Sequence, residues 1–133
     1  MTRSPWLIHF FERQDESVPA IEFLDSVPTA VVAEFEAILD AVAEAPPPAF
    51  SGGGKWEVMH GDMGGFYEAR VHHKGTNYRL FCVLERTADD LGGPSIVVID
   101  GLSKPRRSAA SPKDYGRAIR LLGEFSVSRR VLA

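Results

Sequence analysis

The sequence predicts a single α+β domain over residues 1–133, with an N-terminal strand and a two-helix hairpin packed on a mostly antiparallel sheet, and a C-terminal helix. Three observations carry this. The hydrophobic period switches from helical spacing to strict alternation across a Pro/Gly-rich stretch at residues 46–54. Helical and strand segments are grouped rather than alternating, which separates α+β from wound α/β architectures. A chain of 133 residues, 44% hydrophobic and 25% charged, supports one core and is too short for two ordinary domains.

The elements follow in order. Residues 6–11 are rich in aromatic and β-branched side chains and read as a strand. Ser17 offers a cap and Pro19 a pre-set first turn for a short helix at about 17–26. Pro28 opens a longer helix with Val31, Val32, Phe35, Ile38, Leu39 and Val42 on one face and Glu34, Glu36, Asp40 and Glu44 on the other. Pro46-Pro47-Pro48 must end it, since proline lacks the N–H and its ring clashes with the preceding turn. The stretch 46–54 reads as a connector. Gly52-Gly53-Gly54-Lys55 lacks the spacing of a P-loop, and a strand rather than a helix follows.

Beyond it, residues 55–60, 65–72, 77–85 and 95–102 read as four strands, with turns at 61–64 and 74–76 and a polar loop at 86–94. Ser111-Pro112-Lys113-Asp114 is a helix start, and the helix runs through Ile119, Leu122 and Phe125, weakened by Gly116 and Gly123.

Charge is divided along the chain. Residues 1–50 carry two basic and nine acidic side chains, and residues 51–133 carry thirteen and nine, so a net charge of −3 hides a basic second half. No apolar run approaches the roughly 20 residues of a membrane span. The N-terminus lacks the apolar core and cleavage site of a signal peptide, so a cytoplasmic location is expected. A lone cysteine, Cys82, excludes an internal disulfide and reads as a core residue.

Strand alternation sends Phe66, Glu68, Arg70 and His72 to one face and Tyr67, Ala69 and Val71 to the other; in the next strand Arg79, Phe81 and Val83 oppose Tyr78, Leu80 and Cys82. A tight turn at 74–76 then allows Arg70 and Arg79 to share a face, where two planar guanidiniums can grip one phosphate. The competing reading makes Glu68 a cross-strand ion-pair partner on a solvated face, and spacing alone favours it. Lys104, Arg106 and Arg107 follow the last strand, either as a solvated loop or as contacts to a phosphate backbone. His72 and His73 are adjacent in a strand and point to opposite faces, so no metal site is expected. His60, at a strand end, is the histidine placed to act as a general acid or base.

The segments Lys55–Asp62, Gly65–Val71, Tyr78–Phe81 and Asp100–Pro105, followed by the helix from Ser111-Pro112, together resemble the RelE/HigB-like toxins, in particular the phage-derived HigB-like branch. The resemblance covers about residues 55–125. It implies the toxin half of a type II toxin–antitoxin pair that cleaves mRNA on the ribosome with neither metal nor cofactor. In that scheme the ribose 2′-hydroxyl attacks the adjacent phosphate and Arg79 stabilises the added charge. Arg70, Lys104, Arg106 and Arg107 would hold RNA, Lys104 would also serve catalysis, and His60 and Tyr115 are the candidates for moving protons. The implied partners are mRNA, the ribosome and a helix-turn-helix antitoxin, with no membrane. Two features depart from the pattern: the acidic overall balance and the long 86–94 loop. The alternative is a non-enzymatic binder on the same fold, either a gyrase-poisoning relative or a phage-derived protein that docks a partner.

Overall fold

The computed structural model describes residues 5–46, 53–105 and 112–132. Its elements are β1 (Leu7–Phe10), α1 (Pro19–Asp25), α2 (Thr29–Glu44), β2 (Trp56–Val58), β3 (Tyr67–His73), β4 (Thr76–Glu85), β5 (Ser95–Pro105) and α3 (Pro112–Ser128). The five strands form one sheet in the order β1-β5-β4-β3-β2. Only the β1–β5 pair is parallel. The α+β class read from the grouping of periods is the observed one. Among the described residues no helix is long and apolar enough to cross a membrane.

Helices cover both faces of the sheet, and this decides which side chains are buried. The α2 stripe of Val31, Phe35, Ile38, Leu39 and Val42 packs with α1 against Ala69, Val71, Leu80, Cys82, Ile96 and Val98. The opposite face receives Ala118, Leu121 and Phe125 of α3 against Phe66, Phe81, Val83, Val97 and Ile99. Strands buried on both sides read as continuous apolar runs, as Leu80–Val83 and Ile96–Ile99 do. Cys82 lies in the α2-side core, where burial pushes its thiol pKa up.

Several elements differ from the sequence reading, each for a local reason. Ser17 does not cap α1; its hydroxyl and N–H both bond Asp15 (2.6 and 3.0 Å), while Val18 occupies the cap position and Pro19 starts the helix. The strand expected over 55–60 shrinks to three residues, and the turn at 61–64 contains a 3₁₀ segment, Gly61–Met63, that buries Met63. The helix α3 runs on to Ser128 through both glycines, because its apolar stripe is docked on the sheet. Ser111, the expected cap, lies outside the described residues. The 86–94 loop contains a second 3₁₀ segment, Asp89–Leu91. Arg129, just past α3, donates to Asp90 (3.0 and 3.2 Å) and to Glu85, and so ties that loop to the helix end.

A bulge between Phe81 and Cys82 shifts the β4–β5 register, pairing Phe81 with Asp100 and Cys82 with Val98. Gly101, just beyond it, lies under the ring of Phe23; a Cβ there would come within 2.1 Å of that ring. Gly101→Ala should therefore cost about 1–3 kcal/mol by overpacking, read as a lowered urea midpoint at unchanged m-value.

Asp100 is buried, 3.4 Å from Arg117, and its pKa is raised. Burial is the largest cause; the Gly101 N–H and Arg117 oppose it and Glu22 adds to it. The folded protein thus holds this proton to higher pH than the unfolded chain, and stability falls as pH rises through that window. Asp100→Asn should accordingly gain stability relative to wild type between about pH 4 and pH 7. Urea melts at both ends of that range check it, and an equal effect at both would contradict it.

Candidate active site

The hairpin β3–β4 aligns Arg70 directly opposite Arg79 and Glu68 opposite Phe81, on the α3 face of the sheet. Alternation thus placed the arginine pair correctly. What it did not supply is the depth of Glu68. This side chain is 0% exposed, whereas the sequence reading had it on a solvated face. Its neighbours Phe66 and Phe81 meet edge to face at 6.2 Å, and Phe81 meets the Tyr115 ring at 5.7 Å.

A buried carboxylate must be paired. Glu68 uses both oxygens: Oε1 accepts from Arg70 Nε, and Oε2 accepts from Arg79 Nη1 at 3.3 Å. Arg79 Nη1 also donates to the Tyr115 hydroxyl at 3.0 Å. One carboxylate therefore fixes two guanidiniums, and the trio keeps a net positive charge. Arg79 is the more enclosed of the two, with its side chain 24% exposed against 48% for Arg70. The arrangement presents one held guanidinium and one partly free one to whatever enters.

The trio forms one wall of a cavity of about 400 Å³. The β2–β3 connection supplies a second wall through Met59, His60 and Met63, and α3 supplies a third through Tyr115 and Ile119. His60 is exposed and lines this cavity. Because the Tyr115 oxygen accepts from Arg79, its own proton remains to be donated. Two arginines, a phenol and an imidazole therefore share one cleft, which suits an anion with a proton to be exchanged beside it.

Of the residues singled out in the sequence, Arg70, Arg79, His60 and Tyr115 line this cleft. Lys104 shares the sheet face through its pairing with Asn77, but its amine is 3.0 Å from Asp114 and anchors the first turn of α3. Arg106 and Arg107 lie outside the described residues. Glu68 was weighed in the sequence only as an ion-pair partner; the signal that it belongs to the site is a carboxylate two residues before Arg70 and on its face. No family model, curated protein or solved structure matches this chain.

Glu68→Ala should destabilise the fold by about 2 kcal/mol, less than the roughly 3–5 kcal/mol of a wholly buried pair, because the Arg70 guanidinium can turn to water. Chemical denaturation measures this. An unchanged urea midpoint would mean that the carboxylate does not pin the arginines.

Proposed function

We propose that this chain is the toxin component of a type II toxin–antitoxin pair, acting as a metal-independent mRNA endoribonuclease. The observation that carries the reading is the convergence of Arg79, Arg70 and the Tyr115 hydroxyl around buried Glu68 in one cleft with His60. In-line cleavage of RNA needs little else. The 2′-oxygen forms a bond to phosphorus as the P–O5′ bond breaks, leaving a 2′,3′-cyclic phosphate and a free 5′-hydroxyl. His60 takes the 2′-hydroxyl proton, and Tyr115 gives its proton to the departing 5′-oxygen. Arg79 neutralises charge that grows on the non-bridging oxygens, and Arg70 holds the ground-state phosphate. Ribosome-bound mRNA in the cytoplasm is the proposed substrate, and a helix-turn-helix antitoxin the proposed inhibitor.

One observation favours a non-enzymatic binder on the same fold. Arg70 and Arg79 pair with Glu68, and Lys104 pairs with Asp114, so each of these cations already has an internal partner. A docked protein that leaves those pairs intact would use the same face.

Primer extension on cellular mRNA after induction separates the two. The nuclease reading expects discrete new 5′ ends within reading frames; growth arrest without them supports the binder. Arg79→Ala should lower cleavage about 10²–10³-fold, as loss of a charge-stabilising donor does, and Tyr115→Phe about 10²-fold or more. Both should remain folded by circular dichroism. Full toxicity of Arg79→Ala would remove the central role given to that residue.

A further inference from the structure

The arginine pair is a divide rather than an end wall. The cavity of about 400 Å³ lies on its Glu68 side, and a second of about 450 Å³ lies on its hairpin side; Arg70 and Arg79 line both. The second exists because β2 pairs only with Tyr67–Ala69, leaving the outer edge of β3 beyond Arg70, the edge away from β4, without a strand among the described residues. Gly53 and Gly54, both at positive φ, bring the chain past this gap with no side chains to fill it.

The two sides differ in chemistry. On the Glu68 side, Val58, Met59 and Ile119 make apolar walls beside Asp62. On the hairpin side stand Lys55, His72 and Asn77, with Glu34 reaching in from α2. His72 Nδ1 and Asn77 Oδ1 are 2.9 Å apart. The amide oxygen is an acceptor, so Nδ1 carries the proton, and Nε2 of His72 and the NH₂ of Asn77 are left as an acceptor beside a donor.

We propose that this groove binds single-stranded RNA across the arginine pair, with a subsite on each side. A base lies between Val58, Met59 and Ile119, since its faces are apolar. The scissile phosphate sits at Arg70 and Arg79. The neighbouring phosphate meets Lys55, and the edge of the next base meets the His72–Asn77 pair. The inference rests on the nuclease reading above and adds to it a site size and a division of labour.

Fluorescence anisotropy with 5′-fluorescein-labelled, fully 2′-O-methylated RNA of two, four and six nucleotides tests it, because the methyl group blocks the attack and leaves binding. Wild type should bind the tetranucleotide more tightly than the dinucleotide, with little further gain for the hexanucleotide. Lys55→Ala/His72→Ala, both exposed positions, should keep the dinucleotide affinity and lose the gain on lengthening, about tenfold in Kd. Its dependence of log Kd on log salt should be shallower by about 0.7 for the phosphate contact removed. Ile119→Ser should weaken all three lengths alike. If the double variant binds the tetranucleotide as wild type does while Arg79→Ala does not bind, the hairpin-side subsite is wrong and the nuclease reading stands. An Ile119→Ser variant indistinguishable from wild type removes the base from the apolar side. If folded wild type binds none of the three, the two-sided groove is wrong, and primer extension decides the nuclease reading separately.

Discussion

The sheet has to be covered on both faces, and the rest of the molecule follows from how that is done. The paired centres of β4 and β5 are apolar on each side, so neither the α1–α2 layer nor α3 is dispensable. The α2 stripe covers its face along β3, β4 and β5. On the other face α3 buries the sheet centre and begins beside the polar end, where Tyr115 meets Phe81 and Arg79. There Glu68 is buried while Arg70 and Arg79 reach the cleft. The site is the place where the second cover begins.

The charge distribution that made the composition ambiguous has a spatial counterpart. Glu36, Asp40 and Glu44 occupy the exposed side of α2, on the face of the sheet opposite Arg79, and of the α2 acids Glu34 reaches the edge of the arginine groove. An acidic total is therefore compatible with a cationic cleft, since the potential felt by a ligand is set by the nearest charges and the shape around them. The long loop at 86–94, a departure from the resembled family, has a structural role here: through Asp90, with Glu85 at the end of β4, it holds Arg129 at the end of α3. That role makes no demand on the chemistry at the other end of the helix.

What the sequence made legible was periodic. Alternation assigned Arg70 and Arg79 to one face and Cys82 to the other, and helical spacing picked out the α2 stripe residue by residue, with Val32 at its partly exposed margin. Three things depended on contacts distant in the chain and left no local trace. Glu68 is buried and holds Arg79, which in turn meets Tyr115 of α3, so a carboxylate that alternation could place only on a face became the centre of a trio. Lys104, grouped by sequence with Arg106 and Arg107, is drawn to Asp114 because the start of α3 returns over the end of β5. The shortness of β2 follows from the chain turning at His60–Met63 to bury Met63, a packing choice that strand propensity does not record.

The parallel pairing of β1 with β5 has a consequence for the birth of the molecule. Leu7–Phe10 can find its partner only after Ser95–Val98 has been made, and Tyr115 joins the cleft only when α3 docks after that. Non-local closure of this kind is slow relative to helix formation. During synthesis the α1–α2 hairpin emerges with its apolar stripe uncovered, and Arg79 exists for some thirty-six residues of translation without its phenol partner. A nascent chain therefore carries the cations of the site before it carries the site, and any activity of the cleft begins with the docking of its last helix.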